Sequence, residues 1–306
     1  MKRILEKIEQ QIGADIYHGA SLALYSGDWQ EFYLGALDGE QPVRPNLTYD
    51  LASVSKVVGV GTVLIQMVKE GRVKLDLPLQ AYYPAFADPG VTIRQLLTHT
   101  SGIDPYIPNR DQLDAKGLIE AINQIRVTDQ KEFKYTDINF ILLGLMLEGL
   151  TKKTLPDLFE DWVYKPFAMR ETGFGPVPEA VPTLKGVVAG VVHDPKAKVL
   201  GNHTGSAGLF STLKDLEKFL NAYLQRDFAS YLNHNFAPSG KKERSLAWDK
   251  QGDWLLHTGY TGTFVLYNRQ KQKAAIFLSN RTYEKDQRAQ WILDRDQLIE
   301  IIKEDL

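Results

Sequence analysis

Ser53-Val54-Ser55-Lys56 sets a hydroxyl and an amine three residues apart, at the head of an apolar run. Residues at i and i+3 share one face of a helix. Ser53 at the helix N-terminus and Lys56 one turn in would therefore lie side by side. The free N–H groups and the dipole at that end favour negative charge on the serine oxygen. Val54, Val57 and Val58 surround Lys56, and desolvation among them is expected to lower its pKa and free a neutral amine. A serine beside such a base is an activated nucleophile. Its own backbone N–H can serve as one oxyanion donor. The same four residues also read as a serine N-cap followed by a lysine whose amine reaches water. Further residues must decide between the two.

The elements that would position this pair follow from the apolar patterning. Residues 54–70 are apolar nearly all round and stop at Gly71, as in a buried helix. A second apolar helix covers 138–150, with Asp137 as its N-cap. Thr212 and Asp215 stand at capping-box spacing ahead of a helix over 212–225, and 92–100 is short and periodic. Ile4, Leu5, Ile8 and Ile12 recur at helical spacing, so the N-terminus reads as a docked amphipathic helix rather than a leader. Two apolar runs flank Ser26-Gly27-Asp28 within 20–39, the pattern of a β-hairpin. Runs at 253–260, 263–269 and 274–281 read as a meander, and a last helix over 286–304 buries Trp291, Ile292, Leu298, Ile301 and Ile302. The order predicts an α+β fold. One antiparallel sheet is built from both chain ends and flanked by the terminal helices, with an all-helical domain inserted. Segments 1–52 and 205–306 would form the sheet domain and 53–204 the insertion. The cleft between them is where a site belongs.

Composition narrows the function. A net charge of −2 with no basic block excludes a nucleic-acid partner, which needs clustered positive surface. The absence of cysteine excludes disulfides, thiolate catalysis and Cys-ligated zinc. His99, His193 and His203 show no ligand spacing, so no metal and no cofactor is expected. His99 should order its loop, His193 a turn near the cleft, and His203 reads as structural. No run approaches a membrane span. As given, the chain reads as cytoplasmic, or secreted if a leader has been removed, and as a monomer.

Two further motifs stand in order behind Ser53-Val54-Ser55-Lys56. They are Lys134-Tyr135-Thr136-Asp137 and His257-Thr258-Gly259. The set is similar to the S-x-x-K, second polar motif and K-T-G of serine β-lactamases and penicillin-binding proteins. Ser-Val-Ser-Lys with a tyrosine in the second motif resembles the class C β-lactamase branch, which includes related esterases and DD-peptidases. LLTHTSGI (96–103), KPFAMRETGF (165–174), VVHDPKA (191–197), GSAGLFSTLKDL (205–216), HTGYTGT (257–263) and LSNR (278–281) extend the likeness from about residue 18 to residue 282.

The resemblance implies roles. Ser53 would be the acylated nucleophile. Lys56 and Tyr135 would share its proton, and Tyr135 would pass it to the leaving group. His257 stands where the family has the lysine of K-T-G. A histidine is mostly uncharged at neutral pH, so weaker support for a substrate carboxylate and an acid-side optimum are expected. Asp137 replaces the family's asparagine and cannot donate when ionised. That suits an esterase or peptidase better than a β-lactamase. The Tyr260 N–H would be the second oxyanion donor, with Thr258 and Gly259 completing the substrate-binding edge. The expected partner is a small amide or ester, such as a D-alanyl peptide or short ester, with β-lactams possible. The alternative is a non-turnover penicillin- or peptide-binding protein that acylates slowly or only binds.

Overall fold

The computed structural model describes residues 1–238, 240 and 242–306. Strands β1 (Gly19–Tyr25) and β2 (Trp29–Gly35) form the expected hairpin, with Tyr25 opposite Trp29 and Gly27 at φ +97° in the turn. Three short strands come from the middle of the chain: β3 (Thr48–Asp50), β4 (Gly173–Phe174) and β5 (Leu209–Thr212). The late meander consists of β6 (Asp249–Gln251), β7 (Trp254–Thr258), β8 (Phe264–Asn268) and β9 (Lys273–Ser279).

The main sheet runs β2-β1-β9-β8-β7-β6, antiparallel throughout. The two chain ends join where β1 pairs with β9, Ala20 opposite Ser279. Alternate residues of these central strands face opposite ways. Leu22, Leu24, Ala275 and Phe277 pack under the helices Lys2–Gly13 and Arg288–Asp305, with Ile4, Ile8, Trp291, Leu298 and Ile302. Ala23, Ile276 and Leu278 face the larger core, which includes Leu216, Phe219 and Leu220 of the helix Leu213–Gln225. Both faces are covered, which is why these strands read as apolar runs rather than as alternating ones. The expected α+β architecture with flanking terminal helices is the observed one.

The insertion is not all-helical as expected: β4 lies within 53–204 and joins β3 and β5 in a second, small sheet in the order β3-β5-β4. That sheet matters here because β3 ends at Asp50, three residues before Ser53. Two other expectations change. Thr212 caps its helix by accepting from the Asp215 N–H, but the Asp215 carboxylate accepts from the Glu171 N–H and the Thr172 hydroxyl instead of closing a capping box. The helical stretch Ala52–Lys69 is long and apolar enough to cross a membrane by length and composition. In this fold 78% of it is buried inside the protein.

Candidate active site

Ser53 sits on a tight turn that several elements hold. Leu51 donates its N–H to the Leu209 carbonyl of β5 at 2.9 Å. Ala52 adopts φ +46°, the left-handed region that non-glycine residues rarely occupy. Asp50 supports that turn. One carboxylate oxygen accepts from the Ala52 N–H at 2.8 Å and the other from the His193 N–H at 2.7 Å. Thr261 and Thr263, beyond β7, donate their hydroxyls to the carbonyls of Asp50 and Leu51, each at 3.0 Å. Gly259 is required for this close approach: a Cβ there would lie 2.1 Å from Thr263 Oγ1 and 2.7 Å from the Leu51 carbonyl oxygen. The threonines and glycine of HTGYTGT therefore dock the end of β7 against the turn that carries Ser53.

Burial raises the Asp50 pKa to about 6, against the two N–H groups it accepts. The folded value lies above the ordinary carboxyl value, so ionised Asp50 costs stability at neutral pH, and that cost is relieved as pH falls below about 6. Activity should run the other way, because a protonated carboxyl loses acceptor strength on the Ser53 turn. We expect kcat/KM to fall on the acid side of about pH 6. In Asp50→Asn that limb should be absent and activity low throughout. A wild-type limb unchanged in Asp50→Asn would assign it elsewhere.

Lys56 is fully buried and donates to three oxygens: Ser53 Oγ at 2.9 Å, Asp137 Oδ1 at 2.8 Å and the Ser206 carbonyl at 2.7 Å. Three acceptors match the three hydrogens of an ammonium. Burial pulls the Lys56 pKa down, but the Asp137 carboxylate and the Tyr135 phenol outweigh it and raise it above the ordinary lysine value. The expected neutral amine is thus corrected, and the cause is Asp137. Its helix Ile138–Thr151 receives no side-chain cap from it. Its carboxylate instead bridges Lys56 and Lys196, the latter at 2.9 Å. Burial opposes ionisation of Asp137, yet these two cations hold it well below the usual carboxylate range.

Tyr135 is 42% exposed. The Lys56 ammonium lies over its ring, 5.2 Å from the centroid. The ring also stacks on His99, centroids 4.4 Å apart. His99 is buried and takes a contact from Asn139 Nδ2 at 3.0 Å, so it orders this loop as expected. Ser53, Tyr135, Asp137, Thr258, Gly259 and Tyr260 line one cavity of about 660 Å³.

His257 does not line that cavity. It is 4% exposed, with Nδ1 3.2 Å from the Thr258 carbonyl. Burial first, then the positive charges of Lys56 and Arg244, hold its pKa well below the ordinary histidine value. The expected protonatable cation and its acid-side optimum are therefore corrected to a neutral, buried imidazole. Its ring resonances in an NMR titration should stay fixed from pH 8 to pH 5. A midpoint near 6.5 would contradict this.

Two cations near the site carry no catalytic motif in the sequence. Lys196 is one. The other is Arg244, 3% exposed, with Nη1 3.3 Å from Asp249 and its guanidinium 5.2 Å from the Phe133 ring centroid. His203 pairs with Glu148 at 2.9 Å, outside the cavity, whereas His193 lines it.

The family described as Beta-lactamase matches residues 5–299. The chain belongs to the beta-lactamase family. It is a serine hydrolase of that family. A relative in Escherichia coli (strain K12), provisionally named a D-alanyl-D-alanine carboxypeptidase, is 28% identical over 318 aligned positions, covering 82% of this chain and 73% of the relative. Among solved structures, a class C beta lactamase superposes with a TM-score of 0.79 at 18% identity, covering 100% of this chain and 98% of the other. EstCE1, a hydrolase with promiscuous acyltransferase activity, gives 0.76 at 18%, covering 97% of both chains. The D-amino acid amidase of Ochrobactrum anthropi SV3, complexed with L-phenylalanine amide, gives 0.74 at 19%, covering 99% and 98%. At these identities the structural neighbours share the fold with this beta-lactamase family protein.

Proposed function

We propose that the protein hydrolyses small amides or esters through an acyl-enzyme on Ser53, with D-alanyl peptides and short esters as substrates. The observation that carries this reading is the 2.9 Å contact between Ser53 Oγ and a fully buried Lys56. Because Lys56 donates to Ser53, it stabilises negative charge on the serine oxygen rather than accepting its proton. The proton then passes to the Tyr135 oxygen, which acts in its phenolate form beside the Lys56 ammonium. Ser53 Oγ bonds to the substrate carbonyl carbon, and the carbonyl oxygen gains charge near the backbone N–H groups of Ser53 and Tyr260. Tyr135 returns the proton to the leaving amine or alcohol as the scissile bond breaks. Water repeats the steps in deacylation, adding OH to the acyl carbon and restoring the Ser53 proton.

Steady-state hydrolysis of a short ester and of an acyl-D-alanyl-D-alanine peptide tests this reading. Turnover that disappears in Ser53→Ala supports it; turnover that persists there contradicts it. One observation favours a second reading. Asp137 keeps Lys56 protonated, which removes a base from deacylation. A protein limited in this way would hold a fluorescent penicillin on Ser53 without releasing it.

A further inference from the structure

Acyl transfer asks Tyr135 to carry negative charge, so the cations within reach of its oxygen decide how readily it takes the serine proton. Lys56 lies over the ring, but its charge is shared with Asp137 at 2.8 Å. His257 is buried and neutral. Behind Tyr135 two more rings follow in turn. His99 stacks on Tyr135 at 4.4 Å, and Phe133 meets His99 edge-on at 6.3 Å. Arg244 closes this row, its guanidinium 5.2 Å from the Phe133 ring centroid.

The backbone fixes Arg244 there. Its N–H donates to Asn235 Oδ1 at 3.1 Å, and its carbonyl accepts from the Phe236 N–H at 2.7 Å. The Ala247 N–H donates to the Leu97 carbonyl at 3.0 Å, which ties the segment to the approach to His99. Arg244 is 3% exposed. Its one carboxylate partner among the described residues, Asp249, lies 3.3 Å from Nη1 and is shared with Lys242 at 2.7 Å. Nε and Nη2 are buried with no partner among the described residues. A buried cation so poorly neutralised acts over a long range, because little water screens it. Its charge reaches the site. Burial first, then Arg244 and Lys56, hold the His99 imidazole well below the ordinary histidine value. Burial lowers the Arg244 pKa in turn, and Asp249 and then the Tyr135 phenol oppose that shift.

We propose that Arg244 is a positioning residue for acyl transfer, a buried guanidinium that stabilises the Tyr135 oxygen as it takes the Ser53 proton. This rests on the hydrolase reading of the same site and adds a residue to its proton path.

The test is a double-mutant cycle on acylation of Ser53 by 4-nitrophenyl acetate, followed by intact-protein mass spectrometry of quenched samples, which needs no deacylation. Arg244→Met should lower the acylation rate constant about tenfold or more, with the half-saturating ester concentration within about twofold of wild type. Its melting temperature should not fall, because a buried charge with orphaned donors is exchanged for an apolar chain. Arg244→Lys keeps the charge and should retain most of the rate. In Tyr135→Phe protein, adding Arg244→Met should change the rate by less than about twofold, because the oxygen it acts on is gone. A full-sized loss in that background, no loss in the wild-type background, or failure of both Arg244→Met and Arg244→Gln to fold overturns the proposal and leaves the hydrolase reading standing. Wild-type protein that is never acylated at Ser53 removes the hydrolase reading, and this proposal with it.

Discussion

Replacing Lys56 with methionine is expected to lower ester turnover at least about a thousandfold and to destabilise the fold by about 3–5 kcal/mol. Methionine keeps most of the volume of a side chain that no solvent reaches, so packing is largely preserved. What disappears is the donor shared by Ser53, Asp137 and the Ser206 carbonyl. Asp137 keeps Lys196 but loses the cation at 2.8 Å, and a half-buried carboxylate stripped of a partner is costly. The stability and chemistry losses can be separated. Lys56→Met combined with Asp137→Leu removes both members of the pair and should recover much of the denaturant midpoint while turnover stays lost. Recovery of turnover in the double variant would show that the ammonium does not support the nucleophile.

Tyr135→Phe should lower kcat by about two to four orders of magnitude, the range attributed to one positioned proton-transfer group. Here the fold should hardly notice. The ring is 42% exposed, and phenylalanine preserves both the stack on His99 and the face turned to Lys56. A melting temperature within a degree or two of wild type, alongside the kinetic loss, assigns the effect to the hydroxyl. A kcat within tenfold of wild type would instead mean that the proton leaves Ser53 by another route.

What could be read from the sequence depended on how local the determinants were. The hairpin at 19–35 and the meander after 253 have apolar runs broken by turn residues, and each strand pairs with a near neighbour. The terminal helices declare themselves by where Ile4, Ile8, Leu298 and Ile302 recur. Strands β3, β4 and β5 are two to four residues long, and β3 and β5 are buried at most positions, so no alternation marks them. At the site, residue identities were legible and charge states were not. The three valines around Lys56, Val54, Val57 and Val58, suggest a neutral amine. The group that reverses this, Asp137, lies 81 residues along the chain. His257 likewise reads as titratable until its burial and the positive charges of Lys56 and Arg244 are seen. Arg244 itself sits in KKERS, which reads as an ordinary charged loop, yet it is buried.

The central claim is that Ser53, held against a protonated Lys56, takes the acyl group. Intact-protein mass spectrometry within seconds of mixing with an activated short ester or a penicillin measures this directly, followed by peptide mapping. The account predicts a single added acyl mass on the peptide carrying Ser53, decaying over time with the ester and absent in Ser53→Ala. An adduct on another residue, or equal labelling of the Ser53→Ala protein, would contradict it.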